Sequence, residues 1–429
     1  MKEKFKKSNQ LFKKVSEMIP LASQTFSKSY LQYIKGQAPL FITHGQGSKV
    51  WDVDGNQYID FINGLLSVIL GYQYQAVDLA IKKQLKKGIN FSLPSPLEYE
   101  LARLLIKLIP CAEMVRFGKN GSDVTTGAVR LARAVTEREH VCVCGYHGWH
   151  DWYIGSTARK LGVPKSTRAM THSFTYNDIN SLKNIFKRYK NKIAAVIMEP
   201  MSYVEPKDNF LQKVKSLTNQ NGALLIFDEI ITGFRYPLGS AQKYFKVIPD
   251  LATFGKSMAN GMPIAALVGR KKYMKKVNDI FYSFTFGGET LSLAAAIATI
   301  QELKKQKVIQ NIWKKGRYLQ NKTNQLLKQN GLGDLIKVQG KPCWQVFIIS
   351  DTKKYSGLEI KTYLQQEILQ SGILWYGQHN ISFSHTISDI NKLLLVYKKI
   401  FPELRRLIDQ DKLKEHLKGQ PISNIFKIR

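Results

Sequence analysis

Five short apolar runs in the middle of the chain end in residues that can do chemistry. Residues 114–117 lead into Gly118-Lys119-Asn120-Gly121-Ser122-Asp123, ahead of a helical stretch. Small residues with free amides at the start of a helix make an anion site. Residues 141–144 lead into Gly145-Tyr146-His147-Gly148-Trp149-His150-Asp151, which is aromatic and polar. Residues 194–198 end at Glu199-Pro200, residues 223–227 at Asp228-Glu229, and residues 251–254 at Gly255-Lys256-Ser257. An anion cradle, an aromatic plate, carboxylates and a lysine thus fall at successive strand ends, where open α/β sheets collect their ligands.

Taken singly, each feature has a plain explanation. Gly121-Ser122 is a capped turn, Tyr146 and His147 are packing residues, and Lys256 is a surface lysine. Asp228 follows five apolar residues, and a carboxylate there is costly to bury unless paired. One ligand explains all of them together. Pyridoxal phosphate needs a lysine for a Schiff base with its aldehyde. It also needs a carboxylate at its pyridine nitrogen, a helix start for its phosphate and a flat or apolar plate for its ring.

The elements that must position these residues follow from periodicity. Residues 194–198 and 223–227 are continuous apolar strands, as expected where both faces of a parallel sheet are covered. Shorter strands are expected at 114–117, 141–144, 251–254 and 265–268, and helices at 125–135, 179–189 and 209–219. This βαβα rhythm predicts an α/β fold with a mostly parallel central sheet. Residues 49–60 hold two β runs around Asp54-Gly55-Asn56, a hairpin signal. A strand at 346–349 and a helix at 390–400 are expected beyond it. The organisation predicted is an N-terminal segment 1–70 belonging to a small domain, a large domain 71–318 and a C-terminal small domain 319–429.

The blocks Trp51-Asp52-Val53-Asp54-Gly55-Asn56-Gln57-Tyr58-Ile59-Asp60, Asp228-Glu229-Ile230-Ile231-Thr232-Gly233-Phe234-Arg235 and Pro249-Asp250-Leu251-Ala252-Thr253-Phe254-Gly255-Lys256 carry a family resemblance. The sequence resembles class III pyridoxal-phosphate-dependent aminotransferases of fold type I, close to the glutamate-1-semialdehyde 2,1-aminomutase group. The resemblance runs from about Leu11 to the C-terminus. It implies that Lys256 forms the Schiff base and moves the proton, and that Asp228 pairs with the pyridine nitrogen. It also implies Ile230 on one ring face and Tyr146 on the other, His147 among the cofactor-binding residues, and Gly121 and Ser122 at the phosphate. Thr285, in Phe284-Thr285-Phe286-Gly287-Gly288, matches a position that reaches the phosphate of the neighbouring subunit, which implies a homodimer with a shared active site. Glu199 stands where the family has a strand-end glutamate of varying role, and Glu229 is a further carboxylate of the same block.

The family includes intermolecular transaminases and the intramolecular mutase. Here Asn120-Gly121-Ser122-Asp123 stands where the mutase usually has Ser-Gly-Thr-Glu, and Gly287-Gly288-Glu289-Thr290 where it usually has Ser-Gly-Asn-Pro. Pro20-Leu21-Ala22-Ser23-Gln24-Thr25 lacks the glycine pair and the Val-Asn-Ser run of the mutase's substrate segment. These departures favour an aminotransferase acting on a small-molecule amine donor and a carbonyl acceptor, with the mutase as the alternative. They resemble blocks of aminotransferases of surface-polysaccharide or nucleotide-sugar pathways. Arg235 is the arginine nearest the cofactor block, as a carboxylate binder or a brace of its loop.

Composition narrows the classes further. The 429 residues are 44% hydrophobic, enough for a sizeable core and too apolar for a disordered chain. The net charge of +32 invites a nucleic-acid reading, in which a catalytically silent relative binds polyanions. Yet 14 of the 64 basic residues are arginine, and the lysines that dominate come in scattered pairs on helical segments. That pattern predicts a solvated face and neither nucleic-acid nor membrane partners. Asp250 breaks a P-loop ahead of Gly255-Lys256-Ser257, and Val50 breaks a dinucleotide fingerprint after Gly45-x-Gly47. Cys111, Cys142, Cys144 and Cys343 have no framework spacing, and with His140, His147 and His150 they match no zinc pattern. No metal is expected. Residues 1–14 are basic without an apolar run, and no stretch approaches the roughly 20 apolar residues of a membrane helix, so a cytoplasmic protein is expected.

Overall fold

A computed structural model describes residues 4–34 and 36–423; the last six residues of the expected C-terminal domain, 424–429, lie outside them. The described chain forms two compact units, one built from residues 75–309 and the other from 4–74 with 310–423.

The first unit is organised by a seven-stranded sheet. Its strands are β1 (Met114–Gly118), β2 (His140–Cys144), β3 (Thr171–Ser173), β4 (Ile193–Met198), β5 (Leu224–Asp228), β6 (Leu251–Phe254) and β7 (Ala265–Gly269). Their spatial order is β1-β7-β6-β5-β4-β2-β3. All neighbours run parallel except β7, which is antiparallel to both β1 and β6. Because β7 reverses direction between them, β1 points the same way as the parallel strands, and its carboxyl end joins theirs on one edge. β4 and β5 are buried at every position, which is why their sequences are unbroken apolar runs.

Helices close the faces of this sheet. Helix α1 (Gly121–Thr136) buries Val124, Ala128, Leu131 and Ala132 against Val141, Ala195, Ile226 and Leu267. It starts four residues earlier than its apolar periodicity predicts. The carboxylate of Asp123 accepts from the amides of Lys119 (3.0 Å) and Asn120 (2.7 Å), which ends the preceding turn and extends the helix back to Gly121. Gly121 and Ser122 therefore form its first turn. Helix α2 (Thr290–Lys305) is rich in small residues; its Ala294, Ala295, Ala296 and Ala298 are buried where it packs on the helices Gln75–Leu85 and Pro96–Leu108.

In the second unit, Lys49–Asp52 and Gln57–Asp60 form the antiparallel hairpin, joined by Ile42–Gln46 and by Ile373–Leu374. The carboxylate of Asp52 ties the turn by accepting from the amides of Asp54 (3.0 Å) and Asn56 (2.8 Å). A second sheet of Ile336–Lys341, Trp344–Ile349 and Gln378–Asn380 carries the strand expected at 346–349. The C-terminal helix spans Ile387–Asp409.

Candidate active site

The polar groups of the first unit converge on the carboxyl edge of its sheet. Asp228 is the last residue of β5 and lies opposite Thr253 of β6 in the parallel register. Its Oδ1 accepts from the Thr253 hydroxyl (3.2 Å) and the Ile230 amide (3.1 Å), and its Oδ2 lies 2.8 Å from His147 Nδ1. The other ring nitrogen of His147 faces the Cys144 carbonyl at 3.2 Å. Asp228 and His147 are both buried.

Lys256 stands two residues past the end of β6, after Gly255, and has φ +42°, in the left-handed region that a side chain seldom adopts. Strain of this kind collects at functional sites. Burial holds the Lys256 ammonium below its usual range; the negative charges of Glu199 and Asp228 work against that shift, and the Arg235 guanidinium adds to it. Glu199, just past β4, is shifted upward by burial and by the Asp228 charge, opposed by the Tyr146 amide, His147 and Lys256. Its Oε1 accepts from the Tyr146 amide at 2.9 Å. Gly145 permits this approach: it has φ +108°, and a Cβ there would stand 2.9 Å from Glu199 Oε1.

Ser122 opens α1, and its hydroxyl accepts from the Trp149 amide (3.2 Å). Gly148 lets the two segments meet, since with φ +104° its Cβ would fall 2.3 Å from Ser122 Oγ. Thr125 fastens the same contact by donating to the His147 carbonyl (2.8 Å). Ile230 reaches across: its side chain would contact a Cβ on Gly121 at 3.4 Å and one on Gly255 at 3.2 Å. Tyr146 is half exposed and meets Tyr153 edge to face at 5.7 Å; the Tyr153 hydroxyl donates to the Gly145 carbonyl (2.7 Å).

Gly121, Ser122, Tyr146, His147, Glu199, Asp228, Ile230 and Lys256 thus gather at one edge of the sheet. Glu229 serves another purpose. Its Oε2 accepts from the Ala241 amide (2.6 Å) and the Thr232 hydroxyl (3.1 Å), so it ties down the segment 230–241. Burial raises its pKa to about 7. Thr285 is exposed on the turn 285–288. Arg235 is among the most deeply buried large side chains. The three histidines weighed as a cluster with the cysteines go to separate partners: His147 to Asp228, His150 to the Thr126 hydroxyl (2.7 Å) and His140 to His172 (2.8 Å). Sequence reasoning passed over Thr253, Thr125 and Gly148. Thr253 left a signal, as the polar residue of an otherwise apolar strand three positions before Lys256.

The sequence profile described as aminotransferase class-III matches residues 31–389. The chain is 36% identical to the 3-aminobutyryl-CoA aminotransferase of Cloacimonas acidaminovorans (strain Evry), over 95% of this chain and all of that protein. It is also 36% identical to a glutamate-1-semialdehyde 2,1-aminomutase of Alkaliphilus oremlandii (strain OhILAs), over 94% of this chain and all of that protein. The fold is similar to that of the FumI protein of Sphingopyxis sp. MTA144, solved in its PLP internal aldimine form. The TM-score is 0.87 at 26% identity, covering 96% of this chain and 98% of that one.

The residues present fit pyridoxal phosphate. A desolvated amine at Lys256, a buried donor-held carboxylate at Asp228 and the amides of a first helical turn at Gly121 and Ser122 are complementary to its aldehyde, ring nitrogen and phosphate.

Proposed function

The chain belongs to the class-III aminotransferases, and from that premise we propose that Lys256 and Asp228 are the catalytic residues of its pyridoxal-phosphate-dependent amino transfer. The observation that carries this is that Glu199, Asp228 and Lys256 stand at the carboxyl ends of three adjacent parallel strands, β4, β5 and β6, where their charges act on one another. Gly121, Ser122, Tyr146, His147 and Ile230 hold the cofactor around them.

When bound, the cofactor supplies an aldehyde that takes up an amino group and a ring that accepts electron density. Lys256 moves the proton: burial favours its neutral amine, so Nζ can accept a proton from substrate carbon and return it. Asp228 keeps a negative charge at the ring nitrogen, with Oδ1 held by Thr253 and Ile230 and Oδ2 by His147. His147 is a positioning residue that acts through Asp228. The amides of Gly121 and Ser122, at the positive end of a 16-residue helix, bind the phosphate. Ile230 excludes water from one ring face and Tyr146 covers the other.

The reaction assigned is intermolecular. The departures from the mutase blocks at 20–25, 120–123 and 287–290 support it, as does the likeness to an aminotransferase acting on 3-aminobutyryl-CoA. That likeness favours a substrate whose amino group sits away from the α-carbon. The active form is a homodimer: Ile89, Phe91, Leu93, Tyr99 and Phe286 expose apolar surface on the unit that bears the Thr285 turn. The four cysteines are free, consistent with the cytoplasm.

The test is Lys256→Ala. The variant should bind cofactor without its lysine-linked absorbance and lose activity by about 10³-fold or more. Normal turnover in that variant refutes the assignment. Conversion of the loaded enzyme to its amine form by an amino donor alone supports intermolecular transfer; turnover of glutamate-1-semialdehyde with no second substrate supports the mutase.

A further inference from the structure

Beside the phosphate cradle stands an ion pair that the catalytic scheme leaves unused. Lys119 lies two residues before Gly121, and its Nζ is 2.9 Å from Glu289 Oε2 and 3.2 Å from Ser292 Oγ. The two side chains are only 16% and 11% exposed. Glu289 is also the N-cap of α2: its Oε1 accepts from the Leu291 amide (2.6 Å), and its Oε2 from the Ser292 hydroxyl (2.6 Å) and amide (3.3 Å). The Glu289 amide itself donates to the Phe286 carbonyl (3.2 Å), which closes the turn bearing Thr285. Glu289 therefore joins the start of α2 and the segment entering α1 through its carboxylate, and the Thr285 turn through its main-chain amide.

Neighbouring contacts run the same way. Arg116 donates to the Tyr282 carbonyl (3.0 Å), and Phe284 packs within 3.6 Å of where a Cβ on Gly118 would stand. The segment 282–289 thus lies along 116–119, and Lys119–Glu289 is its charged clasp. Glu289 is also one of the positions at which this sequence departs from the mutase block, where asparagine is usual; the structure gives that departure a charged partner. Because the pair is largely buried, losing one member strands the other without solvent to replace it. Lys119 does not act as a free cation for the phosphate, since Glu289 neutralises it.

We propose that the Lys119–Glu289 ion pair is a positioning device that fixes the phosphate-binding turn 120–122 against the turn 285–288, and so sets cofactor affinity without entering the chemistry. This rests on Gly121 and Ser122 being the phosphate site.

The experiment measures the dissociation constant of pyridoxal phosphate by absorbance titration of the apo full-length protein, with kcat at saturating cofactor and the melting temperature of the apo form. Lys119→Met and Glu289→Gln should each weaken cofactor binding about 10-fold, with kcat at saturation within about 2-fold. Lys119→Arg, which can reach the same carboxylate, should restore affinity to within about 3-fold of wild type. Tighter binding in Glu289→Gln would show Lys119 attracting the phosphate as a free charge and overturn the proposal. So would unchanged affinity in Lys119→Met, or a lowered melting temperature with no change in affinity. Ser122→Ala separates the two readings. If it weakens binding while Lys119→Met does not, only the clasp fails; if neither weakens it, the phosphate site itself is wrong.

Discussion

Asp228 is held at three points, by the Thr253 hydroxyl, the Ile230 amide and His147, and each has a different claim on it. The amide comes with the backbone, His147 with the loop after β2, and Thr253 with the register of β5 on β6. Replacing Asp228 by Asn removes the charge and leaves the shape; kcat should fall about 10²- to 10³-fold, the scale set by loss of one electrostatic group aimed at the reacting centre. Replacing Thr253 by Val removes one neutral donor, worth about 1 kcal/mol, so kcat should fall about 5-fold with cofactor still bound. Steady-state kinetics on cofactor-saturated protein measure both, and equal losses would contradict this hierarchy. At this scale the strand-end placement of Asp228 and Lys256 and the place of Gly121 and Ser122 in the first turn of α1 were legible, because apolar runs mark the strands and small residues the turns that follow them. Thr253 left only the signal of a polar residue in an apolar strand, and its role shows once the neighbouring strand is known.

The segment 230–241 between β5 and β6 carries Ile230 to the site, and Glu229 anchors it through Thr232 and Ala241. Burial raises Glu229 from 4.5 to about 7 in the folded chain. Folding therefore favours the protonated acid. Its stabilisation is complete below about pH 4.5 and is lost as pH rises through about 7, an effect on the order of 3 kcal/mol. Glu229→Gln is neutral at every pH and similar in shape, so its melting temperature should gain on that of wild type between pH 5 and pH 8. A difference that stays flat with pH would show that Glu229 is charged in the fold. The sequence marked Glu229 as a further site carboxylate because it adjoins Asp228. Its hydrogen bonds assign it to the loop, a distinction that depends on where Thr232 and Ala241 return in space.

Across the whole molecule, the lysine pairs Lys82-Lys83, Lys86-Lys87, Lys271-Lys272, Lys275-Lys276, Lys304-Lys305 and Lys398-Lys399 are exposed. In the pair Lys314-Lys315 the second lysine differs, being half-buried with its ammonium donating to the Phe383 carbonyl at 2.9 Å. Most of the +32 charge is thus spread over helix surfaces, where salt screens it. The more directed surface feature is apolar. Leu93 is 79% exposed and Tyr99 70%, in the unit that bears the Thr285 turn. If a second copy covers them, Leu93→Glu should shift the sedimenting mass from about twice 49.0 kDa to that of one chain and weaken cofactor binding at the same time. A variant that remains dimeric would place the interface elsewhere.

The sequence by itself determined the βαβα order, the strand-end positions of Lys256 and Asp228, the glycine-rich start of α1 and the kind of cofactor these residues suit. Those features are local: apolar runs specify buried strands, and small residues specify the turns that follow them. Tertiary structure decided what local pattern cannot carry. The antiparallel insertion of β7 is one example, since an apolar run reads the same in either direction. The opposition of Asp228 and Thr253 is another, because register is set by packing on both faces of the sheet. The third is the pairing of Lys119 with Glu289 across 170 positions. A buried charge must find its partner in space, and nothing in the spacing of the chain says where that partner lies.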